Sequence, residues 1–116
     1  MFKQNLFQVI IVYGTMKEIK GGDRMATIKK GDHKFYVGDN EQEPLAEITF
    51  KTKDDHTIIA DHTYVSDELR GQGMAGKLLE VLTDYAREEN KKIVPVCSYV
   101  QSKMEKTPEY HDLIAE

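Results

Sequence analysis

An α/β (α+β) fold, with a mixed, mainly antiparallel sheet and one crossover helix, is predicted by three features of this chain of 116 residues. Apolar side chains alternate with polar ones through the middle third, recur at helical spacing from Ala75 to Ala86, and form a short run again at Ile93–Cys97. A period of two that gives way to about 3.6 and then to a further apolar run is what strands feeding a crossover helix and a returning strand produce.

The elements follow in order. In Asn5 to Tyr13, Phe7, Val9, Ile11 and Tyr13 share one face as in a strand, whereas Gly14 to Arg24 is polar, rich in Gly and Lys, and without period. Lys20-Gly21-Gly22 is also what a purine-rich ribosome-binding sequence yields on translation, at a suitable distance before Met25. Residues 1–24 are therefore expected to be an N-terminal extension that the native protein need not contain, and residues 25–116 a single domain. Phe35 and Val37 alternate with Lys34 and Tyr36 as a strand, closed by a turn at Gly38, Asp39 and Asn40. In Pro44 to Lys51, Ala46, Ile48 and Phe50 form one face and Leu45, Glu47 and Thr49 the other. The cluster Lys53-Asp54-Asp55-His56 turns the chain into a third strand, Thr57 to Val65, completing an antiparallel meander.

The helix comes next. Ala75, Leu78, Leu79, Leu82, Tyr85 and Ala86 make its apolar stripe, and Lys77, Glu80, Asp84, Arg87 and Glu88 its outer face. Asn90 suits a left-handed cap, and Lys91 and Lys92 suit the negative end of the helix dipole. The strand Ile93–Cys97 should lie parallel to Thr57–Val65, at an edge or with its ladder interrupted by Pro95. Tyr99 to Lys106 and Pro108 to Ala115 read as two short helices, the second capped by Thr107.

Composition narrows the function. Charged residues make up 31% and hydrophobic ones 40%, as in a soluble globular domain. No apolar run reaches membrane-spanning length, and Val9 to Tyr13 lacks the features of a signal peptide, so a cytoplasmic location is expected with no membrane partner. A lone cysteine, Cys97, excludes an intrachain disulfide, and the scattered histidines 33, 56, 62 and 111 give no metal spacing. A net charge of -4 argues against nucleic acid and mildly favours a cationic substrate such as an amine.

The chemistry concentrates in Arg70-Gly71-Gln72-Gly73-Met74-Ala75, between a strand and an amphipathic helix. There the unpaired N–H groups of the first helical turn and the helix dipole favour an anion. Gly71 and Gly73 let the backbone approach phosphate, Ala75 keeps the helix start narrow, and Arg70 can add charge. The glycine spacing alone equally fits a plain tight turn. A P-loop is excluded because Gly76 is followed by Lys77-Leu78 rather than Lys-Ser or Lys-Thr. Gly71-x-Gly73-x-x-Gly76 matches a dinucleotide fingerprint, but the next strand closes on Cys97 instead of an acid and the preceding sheet is antiparallel.

His62-Thr63-Tyr64-Val65 followed by Arg70-Gly71-Gln72-Gly73-Met74-Ala75 resembles the cofactor signature of GNAT acetyltransferases: Arg or Gln, two residues, Gly, one residue, then Gly or Ala. Pro95-Val96-Cys97-Ser98-Tyr99 and Pro108-Glu109-Tyr110 resemble a small stand-alone branch of that family, and the likeness runs from Ile28 to Ile114. The resemblance implies acetyl-CoA as cosubstrate, with its pantetheine arm in a wedge between the two parallel strands. Thr63, Tyr64 and Val65 would pair with the arm, and Arg70, Gly71, Gln72, Gly73, Met74 and Ala75 would hold the pyrophosphate. The thioester would lie between Val65 and Cys97. Larger members carry two helices between their first strands; here there is no room for them between Lys34 and Lys51, so an open acceptor groove is expected, suited to a bulky or exposed amine.

Three residues are candidates for acid and base. Cys97 is either a small packed residue or a thiol able to protonate or exchange with the leaving thiolate. His62, expected on one strand face with Ala60 and Tyr64, is either bonded within the sheet or a general base. Tyr110 is either packed beside Leu113 and Ile114 or a proton donor. The expected function is acetyl transfer to an unidentified amine, and the rival is a CoA-binding regulatory module without turnover.

Overall fold

The computed structural model describes residues 28–115. Five strands form one sheet in the order β1 (Ile28–Gly31), β2 (Lys34–Val37), β3 (Ala46–Asp54), β4 (Thr57–Val65) and β5 (Lys92–Pro95). The first four pair antiparallel, and β5 returns parallel to β4 through helix α1 (Met74–Glu88). Helix α2 (Ser98–Lys106) and a terminal 3-10 helix (Pro108–Leu113) follow, and the chain re-enters the sheet where Ile114 bridges Ile93. The predicted mixed sheet, crossover helix and parallel return are all present. The Asn5–Tyr13 strand lies outside the described residues.

Alternation explains the sheet. Phe35, Val37, Ala46, Ile48, Phe50, Ile58 and Ala60 are buried on one face. Helices α1 and α2 and the 3-10 helix add Met74, Leu78, Leu79, Leu82, Val100, Met104 and Leu113 to the same apolar cluster. All described helices with buried side chains thus serve one face. The intervening residues Tyr36, Glu47, Thr49, Ile59, Asp61, His62 and Tyr64 are half-buried or exposed, and no described helix joins a core on their side. Among the described residues the result is two layers, with the second face of the sheet uncovered, as the missing helices between Lys34 and Lys51 led one to expect.

Helix α1 ends in the left-handed cap anticipated at Asn90, whose φ is 58°. The N–H of Lys91 donates to Ala86 O at 2.8 Å and that of Asn90 to Arg87 O at 3.2 Å, the paired bonds of a Schellman motif. Lys91 and Lys92 do more than complement the dipole: their ammonium groups donate to the carbonyls of Asp55 and Asp112, tying the β3–β4 turn and the terminal 3-10 helix to the start of β5.

Several boundaries differ from expectation. A further strand, β1, precedes Lys34; of its residues Ile28-Lys29-Lys30-Gly31 only Ile28 is buried and apolar, so periodicity had nothing to register. Strand β3 begins at Ala46 rather than Pro44 and runs to Asp54, leaving a tight turn at Asp55-His56 stabilised by the His56 N–H donating to Asp54 Oδ1 at 2.8 Å. Strand β5 stops at Pro95, which has no N–H to continue the ladder, and Cys97 becomes the residue before α2. Thr107 does not cap the last helix, because its hydroxyl donates back to Lys103 O at 2.7 Å.

Candidate active site

Strand β4 is the axis of the site. Its first half, Thr57 to Ala60, pairs with β3 on one side and with β5, from Lys92 to Pro95, on the other. Beyond Ala60 only the β3 side stays paired. The Ala60 carbonyl receives the N–H groups of both Val96 (3.0 Å) and Cys97 (2.9 Å), the last bonds before the chains part. The N–H of Ser66 donates to Leu45 O at 2.8 Å, across β3. Polar groups alternate sides along a strand, so those of Thr63 and Val65 face away from β3 into the fork. This is the wedge expected between the parallel strands.

A β-bulge sits at the vertex. His62 pairs with Thr49, but Phe50 pairs with Ala60, so Asp61 is an extra residue on β4. The bulge corrects the expectation that His62 shares a face with Ala60. Ala60 is fully buried while His62 is exposed, and the core face passes instead to Thr63 and Val65, opposite Ile48 and Ala46. The slip is visible in the sequence once sought: Ile58 and Ala60 are apolar at even positions, Val65 at an odd one.

The glycine loop closes the fork. After the short 3-10 turn Asp67–Leu69, Gly71 (φ 82°) and Gly73 (φ 74°) take left-handed conformations open to glycine at little cost. A Cβ built on either would meet nothing within 4 Å, so the space over both is open. Gly73 is the N-cap of α1 and offers no side chain to its first turn, where the first intrahelical bond is Lys77 N–H to Gly73 O at 3.1 Å. The N–H groups of Met74, Ala75 and Gly76 are therefore left for an incoming acceptor. Met74 is buried and pins the helix start, and Gln72 is held by its amide donating to Glu68 O at 3.2 Å. Arg70 is exposed and already engaged, with Nη1 3.3 Å from Asp67 Oδ1 and Nε donating to Val65 O at 3.4 Å. The Ser66 hydroxyl is buried and has no partner among the described residues. Open glycines, an uncapped helix start and an orphaned hydroxyl fit a phosphate-bearing ligand.

The acid and base candidates do not converge. Cys97 Sγ lies 3.5 Å from Thr63 Oγ1 at the vertex, on the helix-covered side. His62 and Tyr64 stand on the uncovered face. Tyr110 packs farther along α1, beside Thr83; that residue is nine positions beyond Met74, roughly 13 Å at the helical rise. Tyr99 was not singled out from the sequence, yet it stands closer to the chemistry. Its hydroxyl is 3.6 Å from where a Cβ on Gly76 would be, above the first turn of α1. Burial, and then the neighbouring Cys97, push its phenol above the ordinary tyrosine value and keep it protonated. Nothing in the local sequence signals this, because the proximity of Gly76 and Tyr99 is made by the crossover.

Fold and site together define a mixed α/β fold in which two parallel strands part immediately before a glycine turn that opens a helix. The profile of the GCN5-related N-acetyl-transferase family matches residues 34–113. The chain belongs to that family. The NMR solution structure of a GCN5-like protein from Staphylococcus aureus is similar at 46% identity and a TM-score of 0.68, over 79% of this chain and 90% of that one. Two further structures give TM-scores of 0.45. One is a GNAT family acetyltransferase from Elizabethkingia anophelis with acetyl-CoA bound (19% identity, 53% of this chain and 40% of that one). The other is an integron cassette protein from a salt-marsh metagenome (16% identity, 60% and 49%). No curated protein matches. No helix among the described residues is long and apolar enough to cross a membrane, and no group of described residues could hold a metal ion.

Proposed function

We propose that the protein transfers the acetyl group of acetyl-CoA to an amine. The observation that carries this reading is the parting of β4 from β5 immediately before a glycine turn that opens α1. The gap offers the pantetheine amides the Thr63 backbone groups and the Val65 N–H, the Val65 carbonyl being taken by Arg70, and the turn offers the pyrophosphate free N–H groups from Gly71 to Gly76. Acetyl-CoA is the usual cosubstrate of the family.

In the reaction the amine nitrogen bonds to the thioester carbonyl carbon, the C–S bond breaks, nitrogen loses a proton and the CoA thiolate gains one. The Val65 N–H, facing the fork, suits the developing oxyanion. His62, on the open side from which an amine can arrive, suits the base. Tyr99, whose hydroxyl stands over the first turn of α1, suits the acid better than Tyr110, which packs farther along that helix. Cys97, at the vertex beside Thr63, would lie near the leaving sulfur of a thioester held in the fork, and direct transfer needs no acetyl-cysteine, because the uncovered face would let the amine reach that thioester.

The test is calorimetry with acetyl-CoA and CoA, followed by a screen of amines and peptides for acetylation. Binding with turnover supports the reading. Tight binding without transfer to any acceptor would favour a CoA-binding regulatory module, a second reading supported by the lack of contact among His62, Cys97 and Tyr110. The amine acceptor and a cytoplasmic location belong to this proposal.

A further inference from the structure

We propose that Asp61 is the binding site for an aliphatic primary ammonium on the acceptor, received across the uncovered face of the sheet. The inference rests on the acetyl-transfer reading and adds the acceptor's chemistry to it.

The argument begins with the bulge. In an unbroken strand Asp61 and His62 would point to opposite faces; the extra residue places both on the uncovered one, with His62 opposite Thr49. Helices close the other face, so the open approach to the fork runs over this side. Asp61 is the first residue beyond Ala60, whose carbonyl marks the parting of the strands. An amine travelling over the sheet to the thioester meets its carboxylate at the vertex.

The carboxylate is oriented and half available. Oδ1 accepts the Thr49 hydroxyl at 2.6 Å, which fixes the side chain. Oδ2 lies 3.6 Å from Lys51 Nζ, too far for a good hydrogen bond, and the Lys51 side chain is 73% exposed against 24% for Asp61. One oxygen is thus held and the other keeps lone pairs for a donor that can displace a solvated lysine. Glu47 on the same face makes the contrast: Lys34 bonds it at 2.9 Å with both side chains four-fifths buried, a closed pair with nothing to offer. Asp61 lines a shallow groove of about 530 Å³ together with Asp32, His33, Lys34, Thr49 and Lys51, and Lys34 is already paired with Glu47. An ammonium has three donors on a narrow stem and suits a single part-buried carboxylate reached through a groove.

The test is Asp61→Asn, which keeps an oxygen for Thr49 and the shape of the bulge but removes the charge. Steady-state kinetics would use a lysine-containing peptide, a small aliphatic diamine and an aromatic amine uncharged at pH 7. The expected result is a KM about ten-fold or more higher for the peptide and the diamine, a much smaller fall in kcat, an unchanged KM for the aromatic amine and unchanged acetyl-CoA affinity by calorimetry. The ratio of kcat/KM for peptide and diamine tells whether the ammonium comes from a polypeptide or a small molecule. Lys51→Ala, which removes the competitor, should lower KM for both. A KM within two-fold for all acceptors, or an equal loss for the aromatic amine, overturns the proposal while leaving acetyl transfer standing. Should the parent bind acetyl-CoA yet acetylate none of these, NMR titration of the loaded protein with lysine amide decides: shifts at Asp61 and Thr49 support the site, and their absence overturns it. Failure of the parent to bind acetyl-CoA would instead sink the acetyl-transfer reading itself.

Discussion

The two halves of β4 are built from one strand and do different work. Thr57 to Ala60 is paired on both sides, with Ile58 and Ala60 buried in the core. His62 to Val65 is paired on one side, and Tyr64 is 42% exposed. The first half is tied into the sheet along both edges, and the second leaves one edge with hydrogen-bonding capacity that the sheet does not use. A single extra residue, Asp61, divides them, and the division fixes which face each later side chain takes. Stability and chemistry can therefore be perturbed separately along nine residues of chain.

The largest separation should come from paired truncations. Ile58→Ala empties a fully buried site and is expected to cost about 2–5 kcal/mol in denaturant unfolding, whereas Tyr64→Ala should cost about 0.5 kcal/mol or less. Equal losses would mean that the open half carries the core as well. Next in size is Gly73→Val. A β-branched residue at φ 74° is strained by about 1–2 kcal/mol, and its side chain enters the space through which phosphate must approach. Acetyl-CoA affinity should fall about a hundred-fold or more by calorimetry while the variant still folds; unchanged binding would remove the cofactor from this turn.

A smaller effect is expected at Cys97, which touches both halves by bonding to Ala60 O and lying beside Thr63. Cys97→Ser should leave turnover within a few-fold, and intact-mass measurement after acetyl-CoA should show no adduct. An acetyl group that maps to Cys97 and is discharged by amine at the turnover rate would replace direct transfer with a covalent relay.

The least effect is expected far from the fork, at the exposed pair of Arg87 and Asp112. The bond from Arg87 Nη1 at 2.8 Å holds the Asp112 carboxyl below the usual aspartate value. A depressed folded-state pKa gives stability that is present above the unfolded-state value, near pH 4, and is lost as pH falls through the folded one. Asp112→Asn should flatten the acid side of the stability curve slightly and leave acetyl-CoA binding at neutral pH untouched. Altered neutral binding would show that the terminal 3-10 helix reaches the site.

Much of this architecture was legible because the relevant signals are local. The alternation in β2 to β4, the apolar stripe of α1, the glycine turn and the Asn90 cap all depend on neighbours within a turn or a strand. What escaped depends on contacts between elements. Lys29 and Lys30 hide β1, which is recruited by Val37 and Phe35 across the hairpin. Pro95 shortens β5 because its ladder partner Ala60 also serves Val96 and Cys97. The bulge needed the phase slip between Ala60 and Thr63 to be taken as structure rather than noise, and its omission turned His62 to the wrong face. Tyr99 met Gly76 only through the crossover. For residues 1–24, a chain beginning at Met25 that folds and binds acetyl-CoA like the full sequence would support reading them as an extension.

The half-paired stretch of β4 has a consequence for amide exchange. Bonds from one strand edge protect every second amide, so His62 and Tyr64, directed at β3, should exchange slowly while Thr63 and Val65 exchange with solvent at rates closer to those of a loop. A protein in this state carries a two-residue rhythm of slow and fast protons where a fully laddered strand would be uniformly slow. Filling the fork with a ligand that bonds the free edge would erase the rhythm, and the amides that slow would trace the ligand's path along the strand.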